Sequence, residues 1–304
     1  MKYLIVNADD FGADVCRNQG IAEAVAVGVV TSVSVLVNGP AFDDALARLP
    51  AWQGRGVSVG LHVNLSEGYP VCKGLAVLPD EHGCFRGKSS THKLLMQKGN
   101  QELEREIARE IEAQIGLLES KGIKIIHLDG HQHVHVFPMV IGAAIRAARR
   151  HGITWLRIPE EMATVAITSD NYSCPNHLPD HGEANHDQTE ILRREAYIFS
   201  RLAAAARPLL KGSDIRTTDH FRGLYLKGRL SFPRLEMLLN DLPVGITELM
   251  AHPGRAPAGP GQGPFSAFSN MNREEELDVL LDPRLLKTLK EKGVFLTPYP
   301  EIQL

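Results

Sequence analysis

Apolar and polar positions along the chain alternate between two rhythms, one suited to buried strands and one to amphipathic helices. The run "KYLIV" (2–6) is continuously apolar, as in a parallel strand covered on both faces. "NQGIAEAVAVG" (18–28) reads as a helix ending at Gly28. "VTSVSVLVNG" (30–39) is β-branched and strand-like, "AFDDALARLP" (41–50) is a short helix stopped by Pro50, and "VSVGLHVNL" (57–65) is a strand again. A long polar loop follows, to about residue 100. The strongest helix is "ELEREIAREIEAQIGLLESKG" (102–122), where Leu103, Ile107, Ile111, Ile115 and Leu118 draw one apolar stripe. "IKIIHLD" (123–129) is the next strand, "MVIGAAIRAARRHG" (139–152) the next helix and "ITWLRI" (153–158) the strand after it. Residues 160–188 break the rhythm, and such a long polar stretch predicts a surface insertion or lid. Beyond it come a helix (189–206), a mixed segment (217–229), a helix (231–241) and the strand "GITELMAH" (245–252). A Gly/Pro loop (253–264), a helix (273–292) and the strand "VFLTPY" (294–299) complete the pattern.

Strands alternating with helices of ten or more residues imply parallel βαβ units, and about six or seven of them favour a sheet that closes on itself. The expected class is α/β, a TIM-like but irregular (β/α) barrel of about seven strands forming a single domain over residues 1–304. Composition is ordinary, with 43% hydrophobic and 23% charged residues and a net charge of −3, so no nucleic-acid partner is expected. No apolar run reaches membrane-spanning length, and "MKYLIVNADD" lacks the core and cleavage site of a signal peptide. A cytoplasmic location follows as the expectation, with Cys16, Cys72, Cys84 and Cys174 reduced and unpaired. The first strand is not followed by GxGxxG, and GxxxxGK[ST] occurs nowhere, which argues against a phosphate-cradling nucleotide site.

In parallel barrels the chemistry sits at the C-terminal ends of the strands. The first strand ends in Asp9 and Asp10, the third carries His62 and Asn64, "IKIIHLD" ends in Asp129 with His131 beyond it, "ITWLRI" holds Arg157, and "ITELMAHPG" brings His252. Each has an ordinary structural alternative: a turn for the paired aspartates, a packed ring for His62, an ion pair for Arg157, a strand end for His252. Their common place at strand ends is what favours function. The set suits metal-assisted hydrolysis, with two imidazoles and a carboxylate holding a divalent ion and leaving positions open. A second carboxylate beside it takes a proton from water, and a histidine opposite protonates the leaving group. On an extended backbone Asp9 and Asp10 point to opposite sides, which would let them divide these tasks.

The stretches "NADDFG", "VTSVSVLVNG", "GLHVNLSEGYPV", "HLDGHQHVHVFP", "LRIPEE" and "ELMAHPG" resemble the YdjC-like carbohydrate deacetylases, the group that includes the chitooligosaccharide deacetylases. The likeness runs in order from residue 3 to the C-terminus. "TTDHFRGL" and "GPFSAFSNMNREEELDVL" look closest to the branch shared by animals and some bacteria, and the insertion around 165–188 matches least. The resemblance implies a barrel-like hydrolase that takes acetyl groups from N-acetylated sugars. It makes Asp10, His62 and His131 the metal ligands, Asp9 the general base and His252 the general acid. The family's metal is usually magnesium, which is the ion expected first; the two imidazoles would also suit zinc or another transition ion. Asp129 would orient a ligating histidine, Arg157 would help stabilise the oxyanion, and His133 and His135 would stand behind the ligands, face substrate or merely pack.

Other readings are a different metal-dependent barrel enzyme, such as a sugar isomerase or phosphoesterase, or a non-catalytic metal- or carbohydrate-binding protein. A pure binding site has no use for a spare carboxylate such as Asp9, while an isomerase wants more carboxylate ligands and a phosphoesterase two metals. His177, His181 and His186 in the insertion have no distinctive spacing and read as a solvated loop. Trp155 reads as core, whereas Trp52 and the tyrosines are candidates for stacking on a sugar. The partner expected is a small acetylated sugar, without nucleic acid or membrane; a homo-oligomer is compatible with the sequence, but nothing specifies one.

Overall fold

The computed structural model describes residues 1–97, 99–161, 188–257, 263–266 and 271–300. Seven parallel strands form one curled sheet, in the order β5 (Trp155–Leu156), β4 (His127–Gly130), β3 (Ser58–Val63), β2 (Ser32–Val35), β1 (Lys2–Phe11), β7 (Gly245–Ala251), β6 (His220–Arg222). The two edges are tied together: Trp155 bridges Arg216 in parallel, and the Leu156 N–H donates to the Arg216 carbonyl at 2.9 Å, four residues before β6 begins. An eighth strand, β8 (Val294–Leu296), pairs with the start of β1, below the point where β2 takes over. The expected α/β barrel-like class is the class observed.

Side chains alternate across this sheet in a way that inverts the usual hydrophobic interior. Leu4, Val6 and Ala8, Val33 and Val35, Val59 and Leu61, and Leu128 turn outward into one apolar core shared with the helices. Asn7, Asp9, Ser34, His62, His127, Asp129 and Glu248 turn inward, and all are buried. The outer core takes the expected stripe of α5 (Gln101–Ser120): Leu103, Ile107, Ile111, Ile115 and Leu118 are fully buried, each worth roughly 1.5–3 kcal/mol. The barrel floor is a separate apolar cluster of Ile5, Ile126, Trp155 and Tyr299.

Several elements differ from the pattern-based expectation. The helix expected over 41–50 is two short ones, α2 (Phe42–Leu46) and α3 (Leu49–Gln53), because Pro50 sits in a first turn, where its missing N–H costs nothing. The loop 66–100 contains α4 (Lys88–Leu95). The helix expected over 273–292 breaks into α9 (Met271–Leu281) and α10 (Arg284–Glu291) around Pro283, whose ring cannot continue a helix. The helices after β1, β4, β5 and β6 are α1 (Val15–Ala26), α6 (Ile141–Arg150), α7 (Gln188–Ala206) and α8 (Phe232–Asn240). Trp52 is buried and stacks on Phe11 with ring centroids 4.9 Å apart, so it is not a sugar platform. No helix among the described residues is long and apolar enough to cross a membrane. Most of the 160–188 insertion, with His177, His181, His186 and Cys174, lies outside the described residues.

Candidate metal centre and active site

At the C-terminal mouth of the barrel, an open cleft is lined by Asp9, Asp10, His62, His131, His133 and His252 from the sequence-derived set. β1 delivers the two aspartates, but not by alternation. Its register with β2 slips between Ala8 and Phe11, and Asp10 takes a left-handed φ of 66°. Such a conformation costs a non-glycine residue about 1–2 kcal/mol. The twist turns both carboxylates toward the same cavity, correcting the expectation of opposite directions.

Asp10 is the hub. Its Oδ1 lies 2.8 Å from His131 Nδ1 and 3.3 Å from His62 Nε2, while its Oδ2 accepts from Arg273 Nη2 at 2.5 Å. Burial opposes its charge, but His131 and Arg273 prevail and hold the carboxyl well below the usual range. The donor atoms of Asp10, His62 and His131 all fall within 4.8 Å of one another, close enough to hold one ion. Asp9, His62 and Asp129 meet the same criterion.

Asp129 is fully buried and does not reach the cleft; its Oδ1 is bonded to His62 Nδ1 at 2.7 Å and its Oδ2 to the Ser34 hydroxyl at 2.6 Å. Burial disfavours a charged His62, yet Asp129 and Asp9 outweigh it and raise the ring's pKa to about 10. An entering ion must therefore displace a proton.

Arg157 lies beneath the cleft rather than in it, fully buried. Its Nη1 and Nη2 donate to the two oxygens of Asp9, each at 2.7 Å, and its Nε donates to Glu248 Oε1 at 2.7 Å. The oxyanion contact expected of it does not fit this position. Below, Glu248 Oε2 accepts from the Tyr299 hydroxyl at 2.5 Å, and the Tyr299 ring stacks on His127. A polar column thus runs from the floor of the barrel to Asp9. Gly60 makes room for it: a Cβ there would lie 2.2 Å from His127 Nε2.

The alternating histidines of "HLDGHQHVHVFP" do not form a strand. They lie in a 3-10 segment, His131–Val136, whose Gln132 and His133 have positive φ values of 52° and 59°. His131 faces Asp10. His133 lines the cleft, and its pKa is held well below 6.5 by burial and the nearby His135 and Arg157. His135 is packed, with Nε2 against the Arg157 carbonyl at 3.0 Å. His252 follows β7; its backbone N–H donates to Glu276 Oε2 at 2.6 Å, and burial with the cations Arg273 and Lys227 keeps its ring pKa well below 6.5.

The sequence of residues 3–291 matches the family described as YdjC-like protein. The chain belongs to the YdjC-like family. It is 36% identical to a mouse protein named carbohydrate deacetylase, covering 96% of this chain and 92% of the mouse protein. A Brevibacillus brevis protein of the same name is 28% identical over 98% of this chain and 99% of its own. A solved structure from Enterococcus faecalis shares the fold, with a TM-score of 0.71, 24% identity and coverage of 98% of this chain and 97% of that one.

The YdjC-like site also contains residues that strand ends alone did not point to. Arg17, Glu67, Gln132, Lys227, Phe265 and Arg273 line the same cleft. Two of them, Phe265 and Arg273, fall in "GPFSAFSNMNREEELDVL", the late stretch whose likeness to the family was noted without a role for its residues. Ser34 was signalled by the alternation "SVSV", which puts hydroxyls on one face and valines on the other. Gly20 and Gly254 were needed for space: a Cβ on Gly20 would stand 2.6 Å from the Gly254 Cα, so α1 rests directly on the "HPG" turn.

Proposed function

We propose that this YdjC-like chain is a metal-dependent hydrolase that removes acetyl groups from N-acetylated sugars, releasing acetate and a free amine. The observation that supports it most is the meeting of Asp9, Asp10, His62, His131 and His252 in one cleft, in a chain whose relatives are named carbohydrate deacetylases.

Asp10, His62 and His131 would hold the ion. This set is preferred to Asp9, His62 and Asp129 because Asp129 is sealed below the cleft and Asp9 is engaged by Arg157. A carboxylate with two imidazoles suits magnesium, zinc or another divalent ion. Bound there, such an ion polarises the acyl carbonyl and acidifies water.

Asp9 takes the proton of the attacking water on a carboxylate oxygen. The Arg157 fork and the Asn7 amide, 2.7 Å from Asp9 Oδ1, fix its plane. Water oxygen adds to the acyl carbon, the C–N bond breaks, and the nitrogen leaves with a proton from His252. Burial, with the cations Arg273 and Lys227, makes protonated His252 a strong acid, at a cost in its population. Arg17 and Lys227 are the cations at the cleft wall that could face negative charge on the acyl oxygen.

The test is an acetate-release screen over N-acetylglucosamine and its oligomers, with and without chelator. Chelator-sensitive release is expected; sugar interconversion or phosphate release without acetate would point to a different barrel enzyme.

A further inference from the structure

His62 and His131 are arranged alike around Asp10. Each turns one ring nitrogen to Asp10 Oδ1 and the other to a carboxylate. For His62 that carboxylate is Asp129, at 2.7 Å; for His131 it is Glu67, whose Oε2 lies 3.4 Å from Nε2. We infer that Glu67 is the positioning residue of His131, as Asp129 is of His62, and that it sets the affinity of the site for a divalent ion. This rests on the metal reading given above.

An acceptor on the far nitrogen fixes which nitrogen carries the proton, aims the ring and makes the near nitrogen more basic. Glu67 can do this only if it is itself held, and it is. The Asn64 side chain accepts from the Glu67 N–H at 3.2 Å and donates to its carbonyl at 2.7 Å. The following loop is pinned to α5: Glu110 accepts from the N–H groups of Val71 and Cys72, Glu106 from those of Ala76, Val77 and Leu78, and Gln114 holds the backbone of Asn64. The three helix residues stand four apart, forming a buried polar line beside the apolar stripe.

The carboxylate of Glu67 is fixed as well. Oε1 accepts from Gln132 Nε2 at 3.0 Å and Oε2 from the Phe265 N–H at 3.0 Å. The Phe265 ring stands edge-on to His131, with centroids 5.5 Å apart. His131 is thus enclosed between Asp10, Glu67 and Phe265.

The experiment is competition of the full-length protein with a chromophoric chelator for Zn²⁺, with melting of the same samples before metal addition. The parent, Glu67→Gln and His131→Ala are compared. Glu67→Gln should bind Zn²⁺ about 10- to 100-fold more weakly than the parent, with unchanged melting of the metal-free protein and unchanged stoichiometry. A purely structural role would shift the melting and leave the affinity. Should Glu67→Gln fail to fold, Glu67→Asp, which withdraws the charge by one methylene, is read in the same way. Affinity within about twofold of the parent, with His131→Ala defective, overturns the role of Glu67. A parent that takes up no Zn²⁺ contradicts the metal reading itself, and the proposal falls with it.

Discussion

Arg157 grips Asp9 by two parallel bonds of 2.7 Å, with the guanidinium fully buried beneath the cleft and the carboxylate forming part of the cleft lining. A paired, buried fork of this kind fixes direction as well as charge. Replacing Arg157 by Lys keeps the charge but offers a single point donor. We expect kcat to fall roughly 100-fold with KM little changed, because the base is misplaced; a loss of Zn²⁺ affinity would be transmitted through Asp129, whose Oδ2 lies 2.8 Å from Arg157 Nη2 and whose Oδ1 holds His62. Steady-state kinetics with a parallel metal titration checks this; unchanged kcat would separate Arg157 from the reaction.

His252 is required only as far as the leaving nitrogen needs a proton. His252→Ala should slow acetate release from an N-acetylated sugar by about 10²–10⁴-fold, while hydrolysis of an activated aryl acetate falls far less. Equal losses on both substrates would assign His252 to binding rather than to proton donation.

Gly60 leaves space that His127 fills. Gly60→Ala puts a methyl 2.2 Å from the imidazole, at the centre of the polar column. The ring is confined by Tyr299 stacked on one side, with centroids 4.2 Å apart, and by the Ser34 hydroxyl at 3.1 Å. Loss of about 1–3 kcal/mol is expected in chemical denaturation, more if the column is displaced. A variant as stable as the parent would mean that the column relaxes freely.

Much of this architecture was legible in the sequence. The stripe from Leu103 to Leu118 and the strand-end positions of Asp9, His62, Asp129 and His252 follow from periodicity and from where parallel barrels place polar residues. The local twist at Asp10 was not legible, since a left-handed aspartate leaves no mark on an apolar–polar pattern. Nor was the partner of Arg157, because the ion pair joins β1 to the residue just after β5, 148 positions away in the chain. Glu67 and Arg273 were missed for a related reason. Glu67 reaches the cleft from a loop, where periodicity carries no information about direction, and Arg273 from the first turn of α9, where it and Glu276 are charged residues on the buried face beside Leu277 and Leu280.

Glu161 provides a pH test away from the metal ligands. Its Oε2 accepts from the N–H groups of Gly223, Leu224 and Tyr225, yet burial dominates and pushes its pKa to about 7. The folded chain thus holds a proton that the unfolded chain has released above its ordinary value of 4.5. The stabilising contribution is complete below that value and is lost as pH rises through about 7, by up to roughly 3 kcal/mol. Denaturation at pH 5 and pH 8 should show a smaller fall for Glu161→Gln than for the parent. Identical falls would assign no such proton to Glu161.

The division of labour between the two adjacent aspartates is the centre of the account, and it is tested by measuring bound metal and acetate release on the same samples of Asp9→Asn and His131→Ala. Asp9→Asn should retain about one ion per chain and release no acetate, whereas His131→Ala should lose both. Acetate release by Asp9→Asn at the parent's rate, or full metal occupancy in His131→Ala, would contradict it.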